Sequence, residues 1–190
     1  MIERYLDKAQ ALADAQLPDD ALLPFLIAYR QADLLIAKGK RDEAIVMLEQ
    51  SVAMIDAALN FDSPLEQQMR IRLVKLYEHT DQPEKVTAQC VALGKLVPRS
   101  DNIEQVPLYR ISPSLHNIYW SKNTSIHAQF DITAQGTVSN IEILNVDGSK
   151  RLVKPFVEAL KKWRYAPKFE DGVPVTAKST IQMDFKFTKA

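Results

Sequence analysis

The sequence predicts an α+β protein in two parts. An all-α region of helical hairpins covers residues 1–98 and a small ββαβ domain covers 123–190, with 99–122 as linker and lead-in. Three observations carry that prediction. Over residues 1–98 glycine occurs only at Gly39 and Gly94, and the strong helix formers Ala, Leu, Glu, Gln and Lys dominate. From Ser125 onward the hydrophobic period changes from 3.6 to 2. The formal net charge of zero hides a split: residues 1–106 hold 12 Lys and Arg against 17 Asp and Glu, and residues 107–190 hold 12 against 7. Two domains with different surfaces follow from such a split.

The composition of these 190 residues, 46% hydrophobic and 25% charged, is that of a folded chain able to bury a core without disulfide staples. Cys90 is the one cysteine, which excludes an intrachain disulfide and a multi-cysteine metal site. The longest nearly apolar run, 21–29, contains Pro24 and falls well short of the roughly 20 residues of a bilayer span. The start, Met1-Ile2-Glu3-Arg4-Tyr5, lacks a basic opening followed by an apolar stretch. Neither a membrane span nor a signal peptide is expected. The surplus of positive charge in the second half is too dilute to imply a nucleic-acid partner.

Breaks in the helical half fall at Leu17-Pro18-Asp19-Asp20, Gly39-Lys40, Asn60-Phe61-Asp62-Ser63-Pro64 and Thr80-Asp81-Gln82-Pro83. Asp19, Ser63 and Asp81 are expected to accept hydrogen bonds from the first N–H groups of the following helix. Pro64 and Pro83 suit the first helical position, where no N–H is needed. Five helices follow, over about 2–16, 20–38, 41–59, 64–79 and 83–96. The region is self-similar at an offset of 42: Ala32 aligns with Val74, Leu35 with Tyr77, Gly39 with Asp81, Ala44 with Val86 and Leu48 with Cys90. The pattern Leu35-xxx-Gly39-xxxx-Ala44-xxx-Leu48 places small residues where antiparallel helices must approach, and it resembles the tetratricopeptide repeat in a longer-helix form. Such hairpins offer a surface for an unknown partner or act as a spacer, and both readings stand. Cys90 is expected as a buried small hydrophobe.

Pro98, Pro107 and Pro113 bracket an aperiodic stretch. Then Ile126, Ala128, Phe130 and Ile132 share one face of a strand. The turn Thr133-Ala134-Gln135-Gly136 leads to a second strand over 137–146, ended by Asp147-Gly148-Ser149. A helix over 152–163 carries Leu152, Phe156, Leu160 and Trp163 at helical spacing, with Pro155 in its first turn. Its other face holds Lys150, Lys154, Lys161 and Lys162, which fits a solvated face. Asp171-Gly172-Val173-Pro174-Val175 reads as a turn. The last strand, 177–188, alternates Ile181, Met183, Phe185 and Phe187 inward with Gln182, Asp184 and Lys186 outward. One helix covering one face of a three-stranded antiparallel sheet is the architecture this order supports.

Several elements of this half carry a resemblance: Phe130-Asp131-Ile132-Thr133-x-x-Gly136-x-Val138, Lys162-Trp163-Arg164-Tyr165-x-Pro167, Gly172-x-Pro174-Val175 and Met183-x-Phe185. Residues 107–188 are similar to the TonB C-terminal domain family. Two departures stand before the first strand, where the family has a Tyr-Pro pair and small residues. This chain has Pro113-Ser114-Leu115 and Lys122-Asn123 there. The resemblance implies a periplasmic, non-catalytic force coupler that grips the N-terminal peptide of an outer-membrane TonB-dependent receptor. Inner-membrane ion-driven motor proteins supply the energy, and siderophores, haem or cobalamin are the cargo. It implies no cofactor. The binding edge is then expected on the last strand, at Ser179, Thr180, Ile181, Gln182, Met183, Asp184, Phe185 and Lys186, where an extended peptide adds to the sheet. Trp163, Arg164, Tyr165 and Pro167 follow by resemblance, although a tryptophan in such a place serves more often as a core anchor. A homodimer through the same edge is another occupant the resemblance leaves open, and a periplasmic repeat scaffold that grips no receptor is the competing reading.

Enzyme readings find no support. His79, His116 and His127 are scattered over a helix, the lead-in and a strand, and no His-Glu-x-x-His, Gly-x-Ser-x-Gly or phosphate-cradling glycine loop occurs. No catalytic or metal-binding residue is assigned.

Overall fold

A computed structural model describes residues 2–16, 22–58, 64–96, 104–116 and 118–187. The expected caps Asp19 and Ser63, the start of the linker and residues 188–190 lie outside the described residues. The chain divides into two compact units, 1–83 and 84–190.

The first unit holds α1 (Ile2–Gln16), α2 (Leu23–Ala37), α3 (Arg41–Ala58) and α4 (Pro64–His79). Helix α2 begins three residues later than expected, with Pro24 in its opening turn, where a missing N–H costs no hydrogen bond. The offset of 42 reappears in the backbone. Lys40 N–H donates to Leu35 O at 2.9 Å across Gly39, whose φ is +78°. Gln82 N–H donates to Tyr77 O at 3.0 Å across Asp81, whose φ is +54°. Both helices thus end on a left-handed residue with the same closing bond. Asp81, expected as an N-cap acceptor, fills this left-handed position, which aspartate tolerates better than most residues. Ala32 of α2 and Ala44 of α3 are wholly buried. Polar ties cross the helices: Tyr77 O–H donates to Glu49, and Arg72 donates to Tyr29 Oη at 3.2 Å and meets Asp33 at 2.7 Å.

The second unit holds α5 (Pro83–Leu96) from Glu84 on, then β1 (Thr124–Ile132), β2 (Val138–Asp147), a 3-10 turn (Lys150–Leu152), α6 (Val153–Leu160), β3 (Lys168–Glu170), β4 (Val173–Val175) and β5 (Ala177–Phe185). The division expected after residue 98 would give α5 to the helical half. Small residues explain why it clusters with the sheet instead. A Cβ on Gly94 would stand 2.7 Å from Pro167 O and 2.9 Å from Phe169 Cε2. A Cβ on Gly136 would stand 2.8 Å from Cys90 Cβ, so the α5 backbone lies as close to the β1–β2 turn and to β3 as chains can pack. Cys90 is wholly buried there.

The sheet is antiparallel in the order β2-β1-β5. Thr124, Ile126, Ala128, Phe130 and Ile132 alternate inward along β1, as the period of 2 dictates. The register of β2 shifts opposite His127 and Ala128, which pair with Asn145 and Ile143 and leave Leu144 unmatched. This bulge changes the parity, so that Ile141, Ile143 and Val146 all pack on the core. Leu152, Phe156, Leu160 and Trp163 close that core from the other layer.

Three expected boundaries move. The helix stops at Leu160, before Trp163. Lys162 N–H reaches Ala159 O and Trp163 N–H reaches Leu160 O, both at 3.0 Å, which tightens the last turn. Arg164 is then held extended, bridged to Tyr109 on one side and Thr137 on the other. Residues 168–175 form a hairpin where only a turn was expected. Asp171 and Gly172, with φ of +49° and +77°, make the two-residue connection that matches strand twist. Finally, β5 ends at Phe185 instead of 188, because Phe185 pairs with Thr124, the first residue of β1. Phe187 therefore leaves the sheet and is 38% exposed instead of pointing inward, its N–H held by Asn123 Oδ1 at 2.8 Å.

Tyr165 is buried between Phe130 and Trp163, with ring centroids 5.5 and 6.5 Å away, and its hydroxyl has no hydrogen-bond partner among the described residues. Burial pushes its pKa above the ordinary 10.0, with Arg110 opposing and Glu104 adding to the shift.

Two outcomes follow. Gly136 and Gly172 share a φ of +77°, but only Gly136 is crowded. Gly136→Ala should lose about 1–3 kcal/mol more in urea unfolding than Gly172→Ala, because the added methyl meets the Tyr165 carbonyl and Cys90. Equal losses would show that α5 does not pack there. Above pH 10 the unfolded chain releases the Tyr165 proton while the folded chain keeps it. The stability this neutral phenol contributes is present below pH 10 and is lost as pH rises through the folded pKa. Tyr165→Phe should flatten that alkaline loss and stabilise the chain by about 1 kcal/mol at neutral pH, since it removes an unsatisfied buried hydroxyl.

Candidate functional site

Strand β5 stands at the end of the sheet order. It pairs with β1 through nine residues, from Ala177 opposite Ile132 to Phe185 opposite Thr124, and among the described residues no strand lies on its other side. In an antiparallel edge strand alternate residues turn their N–H and C=O groups away from the neighbour. The length of β5 is set by β1, since every β5 residue has a β1 partner.

The two faces of β5 differ. Ser179 and Phe185 are buried, and Ile181 and Met183 are half-buried against the core. Lys178, Gln182 and Asp184 are exposed, with Thr180 half-buried between them. Gln182 Nε2 donates to Asp184 Oδ1 at 3.4 Å. Ser179 Oγ accepts the Gln105 N–H at 3.4 Å, so the lead-in crosses the early part of the strand. Lys186 is exposed just past the strand end. The eight candidates on this segment thus form one continuous strip.

The other four candidates sit elsewhere in character. Trp163 and Tyr165 are fully buried and Pro167 is buried. Trp163 Nε1 donates to Ile111 O at 2.9 Å, and the Arg110 guanidinium lies 5.3 Å from the Trp163 ring. Arg164 is half-buried. Its N–H donates to Tyr109 O at 3.0 Å, its carbonyl accepts from Leu108 N–H at 2.7 Å, and its Nη1 donates to Trp163 O at 3.1 Å. This element fastens the lead-in to the core, so its influence on any ligand passes through the position of the lead-in. Lys150, Lys154, Lys161 and Lys162 are all exposed.

One feature lies outside the residues chosen from sequence. Ile118, Tyr119, Trp120 and Phe187 line a cavity of about 190 Å³ beyond the end of β5. The adjacent aromatics Tyr119 and Trp120 were a signal for it, hidden in a stretch that reads as lead-in because it has no periodicity. No helix among the described residues is long and apolar enough to cross a membrane.

Comparison with known proteins bears on the same stretch. Residues 122–187 match the family described as Gram-negative bacterial TonB protein C-terminal. Protein TonB of Vibrio cholerae serotype O1 is 28% identical over 106 residues, covering 56% of this chain. The match spans only 36% of that relative's length. A solved structure from the molecular characterization of the TonB2 protein of Vibrio anguillarum aligns at 24% identity and a TM-score of 0.35, covering 49% of this chain and 91% of that one. The solution NMR structure of the Pseudomonas aeruginosa TonB C-terminal domain aligns at 22% identity and a TM-score of 0.36, covering 48% and 93%. With the strand, strand, helix, strand order and the Trp163-Arg164-Tyr165 element in place, residues 122–187 carry a domain of the TonB C-terminal family.

Proposed function

We propose that this chain is the receptor-gripping part of a TonB-type energy-transducing system, acting in the periplasm without covalent chemistry. The position of β5 at the end of the sheet carries this reading. An extended N-terminal peptide of an outer-membrane receptor adds to β5 as a further strand, along residues 179–186. Each main-chain hydrogen bond contributes on the order of 1 kcal/mol net. Bonds in one row along the strand share a pull. The exposed Gln182 and Asp184 flank the peptide on the side away from the core. Inner-membrane ion-driven motor proteins supply the force, and the cargo is of the siderophore, haem or cobalamin class.

The helical unit supports a second reading, as a scaffold for another protein. Helix α3 leaves Val46 51% and Met54 61% exposed, and Asp42 and Glu43 stand beside Val46 in a shallow groove of about 410 Å³. An apolar stripe with acidic neighbours fits a basic amphipathic segment.

Hydrogen exchange on the full chain, with synthetic N-terminal peptides of outer-membrane receptors, separates these readings. The β5 amides turned away from β1 should exchange fast in the free chain and gain about tenfold or greater protection with peptide, while β2 stays unchanged. Protection confined to β2, or none at millimolar peptide, would remove receptor gripping at β5 and leave the scaffold.

A further inference from the structure

We infer that the helical unit binds a narrow acidic segment of a second protein, at Arg30 and Arg72 on the paired faces of α2 and α4. The site is separate from β5 and from the α3 groove, and it holds whether or not β5 grips a receptor.

The repeat places the two arginines. Across α2 and α4 the offset of 42 gives Leu23 and Leu65, Arg30 and Arg72, and Leu34 and Leu76 as the identical pairs, so arginine is the one charged residue that both copies keep. A repeated leucine follows from packing. Arg30 has 61% of its side chain open, and packing asks little of it. The fold brings the two positions together. Arg72 reaches from α4 to α2, with Nη2 2.7 Å from one Asp33 oxygen and donating to Tyr29 Oη at 3.2 Å. Arg30 Nη1 stands 3.7 Å from the other Asp33 oxygen. The Arg30 and Arg72 guanidiniums lie 5.6 and 5.7 Å from the centre of the Tyr29 ring. A guanidinium held against an aromatic ring keeps its N–H edge for carboxylates.

Charge is left over at this place. One carboxylate serves two guanidiniums, and neither arginine has another carboxylate partner among the described residues. The contact to Arg30 is also too long for a hydrogen bond. Lys75 lies three residues beyond Arg72, hence on the same side of α4, and it is exposed and without a carboxylate among the described residues. These cations gather in a unit of opposite sign: residues 1–83 hold 9 Lys and Arg against 14 Asp and Glu.

Openness and surroundings select the occupant. Arg30 and Lys75 are exposed, and a single ion pair in such a setting is worth little. A free oxyanion is therefore held weakly, whereas a chain that presents several carboxylates engages the cations together. A nucleic acid or an anionic lipid surface would bring a broad field of negative charge against an acidic unit. A narrow acidic segment laid over α2 and α4 meets the cations without that repulsion, and complementary charge of this kind sets which partner is accepted.

An NMR titration of the full chain at low salt tests this. The probes are a short capped peptide of alternating Asp and Glu, its Asn and Gln counterpart, inorganic phosphate, and vesicles containing phosphatidylglycerol. The acidic peptide should move the Nε–H resonances of Arg30 and Arg72 and the amides of α2 and α4 saturably, leave β5 unmoved, and bind less tightly as salt rises. Arg30→Gln, at an open position, should weaken it about fivefold with the amide spectrum otherwise preserved. Arg41→Gln removes the same charge at the start of α3 and should leave binding unchanged. No movement of α2 and α4 at millimolar acidic peptide overturns the site, as does an equal response to the Asn and Gln counterpart. Equal weakening in the two variants overturns it as well, since the attraction is then diffuse. Phosphate that binds as tightly as the peptide, or vesicle binding that Arg30→Gln abolishes, replaces the protein segment with a free oxyanion or a membrane. Receptor peptides at β5 report on other amides, so these outcomes leave that reading untouched.

Discussion

The pairing of β5 with β1, and with β1 alone among the described strands, is the constraint on which the functional reading depends. A central β5 would have both rows of backbone groups satisfied within the chain, and nothing extended could join it. Because β1 fixes the register over all nine residues, the backbone of β5 stays regularly extended from end to end. On the proposed function that regularity matters, since a frayed edge under load would lose its bonds singly.

That array is held in place from behind. The core under β1 and β5 is closed by α6 and by the Trp163-Arg164-Tyr165 segment, which is threaded between the lead-in at Tyr109 and the turn at Thr137. That segment is therefore a structural clamp in this chain, with Trp163 donating to the Ile111 carbonyl and Arg164 exchanging backbone bonds with the lead-in. It positions residues 108–111, and the same lead-in continues to Tyr119 and Trp120 beside the end of β5. Helix α5 adds a third support through Cys90 and Gly94, where side chains are small enough for backbones to meet. Strand β5 is thus backed by a core that includes more chain than the family match of 122–187 covers.

Electrostatics separates the two faces of the problem. The edge displays Gln182 and Asp184, which suit hydrogen bonding without a strong field. Cations gather at the end of the strand, at Lys122, Arg151 and Lys186. Main-chain bonding gives affinity regardless of partner sequence, so discrimination among partners must come from such flanking chemistry.

Local rules in the sequence determined most of the secondary structure. Helix formers and the scarcity of glycine placed α1 to α5, and the period of 2 placed β1 and β5 with their inward residues as far as Phe185, beyond which Phe187 departs. The offset of 42 marked both left-handed helix ends, because a cap is a local conformation that the chain specifies within a few residues. The outward direction of Gln182 and Asp184 was equally legible, since alternation fixes which side chains face out. Tertiary structure decided what depends on distant neighbours. Whether Trp163 continued the helix turned on Tyr109 and Thr137, far away in sequence, which drew Arg164 into extended pairing. Where β5 ended turned on where β1 began. The allegiance of α5 turned on how closely Gly94 and Cys90 could approach another element, which no periodicity records. The pocket at Tyr119, Trp120 and Phe187 arose only when two aperiodic segments met, a juxtaposition that local propensity cannot encode.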